Sequence, residues 1–417
     1  MAAPLRDGPV GSGTHASTGD AASLVLVAVA GALWLRDRPR TRARVPVAVA
    51  LVLAALVVAA AVSTMCSPDT GTSLVGWVRE TQVLVLVPLA VAVSLRDRRD
   101  VAVVAGAMIA LGAGEAAFGI WQTATRHGAS YGGRLVRAVG TFGALDVMAM
   151  ATVCGIALIM AVSLAVTADG RRRRAALLLV AAVLGAGLLC SLSRGSWIAV
   201  TAGVLVVLLR FDARLALRAC LCGVAALTVL VGGFGIGSGT VAERTQSIVG
   251  AARNPDRSVG DRYALWNTAE AMWQDRPVTG VGVKNFPAFR DAYAPPQLSG
   301  ASDTDDPVTG YVREPLLSPH DQYLLMLSEQ GLLGAGAFLL LVGGVSAGLW
   351  RRARPADGHW LLCLGVLTAT AVNFLYADMG GPTTVLIGVV LGLAVRHAGP
   401  VRTVATADVP DRPERAR

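Results

Sequence analysis

The stretch SPHDQYLLMLSEQGLLGAGAFLLLVGGVSAGLW, residues 318–350, decides the fold class. From Gln322 to Leu349 it is mostly apolar with a single charged residue, Glu329, and it is longer than the ~20 residues a helix needs to cross a bilayer core. A chain in lipid must satisfy its own backbone hydrogen bonds, so such a run spans as a helix. The head of the stretch is polar. Ser318 as N-cap, Pro319 at the first helical position and Asp321 three residues after the cap read as a helix start, which places His320 in the first turn.

Outward from this run, further apolar stretches occur at about 21–35, 46–63, 74–95, 101–124, 139–167, 175–193, 196–210, 215–237, 359–376 and 382–396. The expected fold is therefore all-α: a polytopic transmembrane helix bundle of about eleven spans, within a range of ten to twelve. One large, partly helical extracytoplasmic loop interrupts it. Hydrophobic residues make up 54% of the 417, charged residues 16%, and mean hydropathy is +0.57. A soluble protein carries about a quarter charged residues, so that class is excluded. The expected division is a disordered tail over 1–20, transmembrane helices 1–8 over 21–237, the large loop over 238–321, transmembrane helices 9–11 over 322–396, and a disordered cytoplasmic tail over 397–417.

The net charge of +9 does not indicate nucleic acid, because it is not where a nucleic acid would meet it. Residues 239 to 320 hold ten acidic and eight basic residues, net −2, so the basic excess lies elsewhere. The clusters Arg36 to Arg44, Arg96 to Arg99, Arg171 to Arg174, Arg210 to Arg218 and Arg351 to Arg354 fall in alternate gaps between spans. By the positive-inside rule those gaps face the cytoplasm, and the large loop and the N-terminus face outward. The six cysteines form no disulfide or zinc framework.

Within the loop, cap-type residues at 258–261 precede a run in which Leu265, Trp266, Ala269, Met272 and Trp273 recur at helical spacing, until Pro277 ends it. Arg262 falls on this apolar side, where it either snorkels at the membrane surface or is held for an anion. Gly280 and Gly282 in PVTGVGVKNF read as a tight turn. They lack the third glycine and the strand–helix setting of a dinucleotide site. The segment from Ala294 to Pro315 reads as an irregular surface flap, and Asp303, Asp305 and Asp306 within it as a solvated acidic run.

Two further charges sit within apolar surroundings. Arg194, in SLSRGSW, lies at the outer end of a span, and Glu329 about two turns into the helix that His320 opens. Ionisable groups at such depth are costly and usually functional or paired. Pairs such as Arg194 with Glu329, or Arg79 with Glu80, would merely fix the bundle. The alternative is an arginine cluster for a lipid-linked phosphate, whose oxygens guanidinium binds bidentately. Near pH 7 a helix N-terminus favours neutral His320, whereas the neighbouring Asp321 acts in the opposite direction.

SLSRGSW at 191–197, RYALWNTAEAMWQDRPVTGVGVKNF at 262–286 and SPHDQYLLMLSEQGLLG at 318–334 together resemble the O-antigen ligase and O-antigen polymerase superfamily of membrane glycosyltransferases. TFGALD at 141–146 matches more loosely. The resemblance implies transfer of a glycan from an undecaprenyl-pyrophosphate carrier to an acceptor hydroxyl outside the membrane, with no cofactor and no metal. By position, His320 would be catalytic, Arg194 and Arg262 would contact the pyrophosphate, and Asp321, Glu329 and Trp266 would support them. Asp321 stands where the family commonly has Asn. The acceptor would be a lipid, a glycan or a protein, and the bilayer is the remaining partner. A flippase of lipid-linked sugars is the alternative class, and it would be expected to carry broken spans or midplane charges.

Overall fold

A computed structural model describes residues 18–36, 45–131, 136–143, 146, 148–228, 257–295, 298, 301–306 and 310–398. Most of the two expected tails, and the part of the expected loop before residue 257, lie outside the described residues.

The apolar runs fold as helices: α1 (Thr18–Arg36), α2 (Val47–Met65), α3 (Thr70–Ser94), α4 (Arg98–Thr125), α5 (Ala149–Val166), α6 (Arg171–Cys190), α7 (Arg194–Phe211) and α8 (Ala213–Thr228). Two loop helices follow, α9 (Arg257–Asp275) and α10 (Phe286–Tyr293), then α11 (Gln322–Arg351), α12 (Gly358–Asn373) and α13 (Thr384–Ala398). Among the described residues eight helices, α1 to α7 and α11, are long and apolar enough to cross a membrane. Two more, α12 and α13, are shorter apolar helices. The chain is a multi-pass helical membrane protein.

The helix α5 forms the heart of the core along its length. Met150, Ile159 and Met160 are fully buried, and Trp360, Leu361 and Leu362 of α12 join the same cluster. Without a hydrophobic drive between helices in lipid, close approach depends on small residues. A Cβ on Gly203 of α7 would stand 2.6 Å from the Gly365 carbonyl of α12, so these two helices touch backbone to backbone. A π-helical turn over Gln82–Leu86 interrupts α3. There the Gln82 amide donates to Ser23 Oγ at 2.5 Å, tying α3 to α1.

A small antiparallel sheet accompanies the helices: β1 (Ala129–Tyr131), β2 (Val136–Arg137), β3 (Ala301–Asp306) and β4 (Gly310–Pro315), in the order β2-β1-β3-β4. Ser130 pairs with Asp305, and Asp303 with Arg313. The segment expected to be an irregular flap thus contains a hairpin. Its third strand comes from the distant α4–α5 connection, and strand pairing supplied by a remote segment leaves little trace in local composition.

The loop helix α9 forms as its periodicity predicts, with Leu265, Ala269 and Met272 buried. They pack with Val281, Phe286, Leu298 and Leu316 in a second apolar cluster separate from that of the spans. After α9 the chain does more than turn. The segment 277–282 runs back into α11, which is broken at Gly331 (φ 61°, ψ −157°). Leu332 and Leu333 donate their N–H groups to the Pro277 and Val278 carbonyls at 2.8 and 3.3 Å. In return, Val281 and Gly282 donate to the Ser328 and Glu329 carbonyls at 3.0 and 2.8 Å. Non-helical backbone is tolerable within a span when protein satisfies it, and here each half of the break is bonded to the inserted segment. A side chain at Gly331 would put its Cβ 2.4 Å from the Val278 backbone, so the junction requires glycine.

Candidate functional site

The start of α11 differs from the sequence reading. Its N-cap is Asp321, not Ser318, and the helix begins at Gln322. His320 precedes the helix with φ 50°, a left-handed conformation that cannot lie in a helical turn. Asp321 takes the cap position because its extended backbone lets Oδ1 accept the Leu324 N–H at 2.9 Å. Ser318 Oγ instead accepts the His320 N–H at 3.1 Å and donates to the Asp378 carboxylate.

His320 is strapped from several sides. Trp266 of α9 donates its indole N–H to the Pro319 carbonyl at 3.0 Å. Arg290, buried in α10, donates to the carbonyls of Leu316 at 2.8 Å and Leu298 at 3.2 Å, anchoring the strand that leads to the histidine. Gln322 donates its backbone N–H to the Phe374 carbonyl at 2.8 Å, and its side-chain oxygen accepts the Met379 N–H at 2.7 Å. The α12–α13 connection is thereby fixed against the start of α11.

Burial pushes His320 below its ordinary value. The Asp378 carboxylate acts the other way, and the Arg262 guanidinium adds to the lowering. Near pH 7 the imidazole is therefore neutral, able to accept a proton, with an anion and a cation close by. Burial also raises Asp321, opposed by its backbone hydrogen bonds from Leu324 and Tyr323.

Arg262 lies one turn before Trp266 on α9, and its Nη2 is 3.9 Å from Met148 Sδ at the start of α5. This side chain therefore points into the bundle end rather than toward bulk solvent. Arg194 is the first residue of α7, after the cap residue Ser193. A Cβ on the next residue, Gly195, would be 2.9 Å from the Tyr376 ring, so the start of α7 abuts the segment that carries Asp378. A Cβ on Gly381 of the same segment would lie 2.8 Å from Asp146 Oδ1, and Arg137 Nε donates to the Ser191 carbonyl at 3.1 Å. The described parts of the 126–148 connection and of the large loop, the 191–193 turn and the α12–α13 connection thus share one end of the bundle. His320, Arg262, Asp378 and the start of α7 lie around it.

Glu329 has a different place. Its carboxylate accepts the N–H groups of Lys284 at 2.8 Å and Phe286 at 3.0 Å, holding the inserted segment and the start of α10. Ser63 of α2 donates to its carbonyl at 2.8 Å. The bundle-fixing pairs considered from sequence take other forms: Arg79 faces Asp20 at 3.5 Å, and Glu80 accepts from the Gln330 amide at 2.6 Å. Sequence reasoning assigned no role to Asp378 or Gln322. The short polar stretch between two apolar runs at 377–383 was the one available signal for Asp378, and Gln322 had none. Among the described residues no group of three or more His, Cys, Asp or Glu is placed to hold a metal ion. The side chains of Asp303, Asp305 and Asp306 lie outside those described.

The motifs at 191–197, 262–286 and 318–334 all fall within one matched region. Residues 176–339 match the O-Antigen ligase family model. The match supports the superfamily resemblance read from the sequence and gives an O-antigen ligase or polymerase type of membrane function. It covers Arg194, Arg262 and His320. Asp378 lies beyond its end, although the fold returns that residue to the matched segment. No curated protein matches the chain.

Proposed function

We propose that this protein is a glycosyltransferase that moves a glycan from an undecaprenyl-pyrophosphate carrier to an acceptor hydroxyl on the outer side of the cytoplasmic membrane. The observation that carries this reading is a half-buried His320 tied through Ser318 to Asp378, with Arg262 near enough to act on its charge, inside the segment that matches the O-antigen ligase family. The acceptor oxygen attacks the anomeric carbon, and the bond from that carbon to the pyrophosphate oxygen breaks. His320 takes the hydroxyl proton, and undecaprenyl pyrophosphate leaves with the bonding electrons. Fixed guanidinium groups of Arg194 and Arg262 stabilise the charge that develops on the leaving group. They supply the countercharge themselves, so the mechanism needs no metal, and direct displacement inverts the anomeric configuration.

Asp321 caps the helix behind the histidine, Trp266 holds the preceding carbonyl, and Glu329 keeps the inserted segment in place. Their roles are support rather than contact with the donor. The outward orientation of this end follows from the arginine clusters in the opposite connections. A ligase and a polymerase share this chemistry and differ in the acceptor. The broken span at Gly331 is the feature a flippase reading would use, but the inserted segment occupies its backbone groups, leaving a sealed junction. The test is incubation of purified protein with lipid-pyrophosphate oligosaccharide and membranes from a strain lacking the protein, which supply the acceptor. Mass analysis should show a new glycoconjugate and free undecaprenyl pyrophosphate. Consumption of no donor would count against transfer.

A further inference from the structure

We propose that Gln322 is a positioning residue that sets the distance between Asp378 and His320, an inference that rests on the glycosyl-transfer reading of this site. His320 and Asp378 belong to segments 58 positions apart, and each segment is organised within itself. On the histidine side, Asp321 caps α11 and Ser318 holds the His320 N–H. On the other side, Tyr376 and Ala377 both donate to the Asn373 carbonyl, and Thr384 Oγ1 donates to Met379 and Gly381. Of the groups named, the Ser318 hydroxyl reaches the other segment once, donating to the Asp378 carboxylate.

Gln322 does so twice. Its backbone N–H reaches Phe374, and its side-chain oxygen takes the N–H of Met379, the residue next to Asp378. Gln322 is 3% exposed, so water cannot replace the bond readily. One clasp therefore grips the connection on both flanks of Asp378. The Ser318–Asp378 contact lies between the two points that Gln322 holds. The charged groups facing His320 are Asp378 from this connection and Arg262 from α9, with Asp321 its neighbour in the chain. Of these, the Gln322 side chain grips the connection bearing Asp378.

The test compares Gln322→Leu, Gln322→Asn and Gln322→Glu in the full-length purified protein, each first checked for a monodisperse elution profile. Leu removes the acceptor, Asn retracts it by one methylene, and Glu keeps an oxygen where Met379 needs one. In Leu and Asn, kcat should fall about tenfold with donor KM little changed. The acid limb of the rate–pH profile should move to lower pH, because a retreating Asp378 no longer supports the protonated imidazole. Glu should retain kcat within about threefold of wild type, without that downward shift. If Gln322→Leu does not fold, the same comparison is read from Asn. Wild-type kcat and an unshifted acid limb in the Asn variant, or an equal loss in Glu, would overturn the positioning role. Failure of the transfer reading itself would look different, because wild type and every variant would then consume no lipid-linked donor.

Discussion

Ser318 links the backbone of His320 to the carboxylate of Asp378, accepting the His320 N–H at 3.1 Å while donating its own hydroxyl proton to Asp378. One serine thus bridges the histidine of the large loop and an acid from the α12–α13 connection. The arrangement places a negative charge near the imidazole in a half-buried setting, where electrostatic effects are stronger than in open water. A base so placed is stabilised when it takes up a proton.

The pH dependence follows from these neighbours. Burial and Arg262 hold His320 below the ordinary histidine value of 6.5, so the active neutral form persists at pH 7 and is lost as pH falls. The acid limb of kcat/KM should therefore lie below 6.5. In Asp378→Asn the group that raises the histidine is gone, so the limb should move lower still. The rate at pH 7 should fall on the order of tenfold, less than the ~10²–10⁴ expected for losing the base itself. A limb that moved upward would contradict this placement of Asp378.

Arg194→Lys and Arg262→Lys should each reduce kcat/KM by about tenfold or more, because lysine keeps the charge and loses the bidentate fork. Full activity in both lysine variants would show that simple electrostatic attraction suffices.

Gly331→Ala should be a stability variant. A Cβ there meets the Val278 backbone at 2.4 Å with φ at 61°, and the combined overlap and strain should cost about 2–4 kcal/mol. Thermal unfolding in detergent would register this, and an unchanged midpoint would mean that the inserted segment moves aside freely.

Much of this was legible in the sequence, and the omissions share a cause. Apolar run length places the spans well, and the periodicity of Leu265, Ala269 and Met272 gives α9, because both signals are local. Arg194, Arg262 and His320 stood out as polar residues at apolar boundaries. The break at Gly331 was hidden because a single glycine inside an apolar run reads as continuous helix, and the segment that fills it begins some fifty residues earlier. The helix start moved from Ser318 to Asp321 for a similar reason. Ser318 is a good cap by type, but a residue of another connection, Asp378, claims its hydroxyl. Glu329 read as a deep charge that is either functional or ionically paired, whereas its carboxylate accepts backbone N–H groups of Lys284 and Phe286.

Sidedness is open to a direct check. Cysteines placed in α9 or α10 should react with a membrane-impermeant thiol reagent in intact cells, while cysteines near Arg171 or Arg352 should react after lysis. The reverse pattern would place the site at the cytoplasmic face and remove the lipid-linked donor from reach.

Chelation separates the arginine-based mechanism from a metal-assisted one. Transfer should continue in EDTA at an undiminished rate, and recovery that required Mg²⁺ or Mn²⁺ would redirect attention to Asp303, Asp305 and Asp306.

The central claim is that His320 is the base for glycan transfer. Asparagine is the fitting replacement, because it tolerates the left-handed backbone that His320 adopts at φ 50°, whereas alanine would add strain. The decisive measurement is the release of undecaprenyl pyrophosphate from lipid-linked oligosaccharide by purified wild type and His320→Asn at pH 7, with equal amounts of monodisperse protein. The account predicts a rate lower by ~10²–10⁴ in the variant with unchanged thermal stability. Equal release by the two proteins would contradict it.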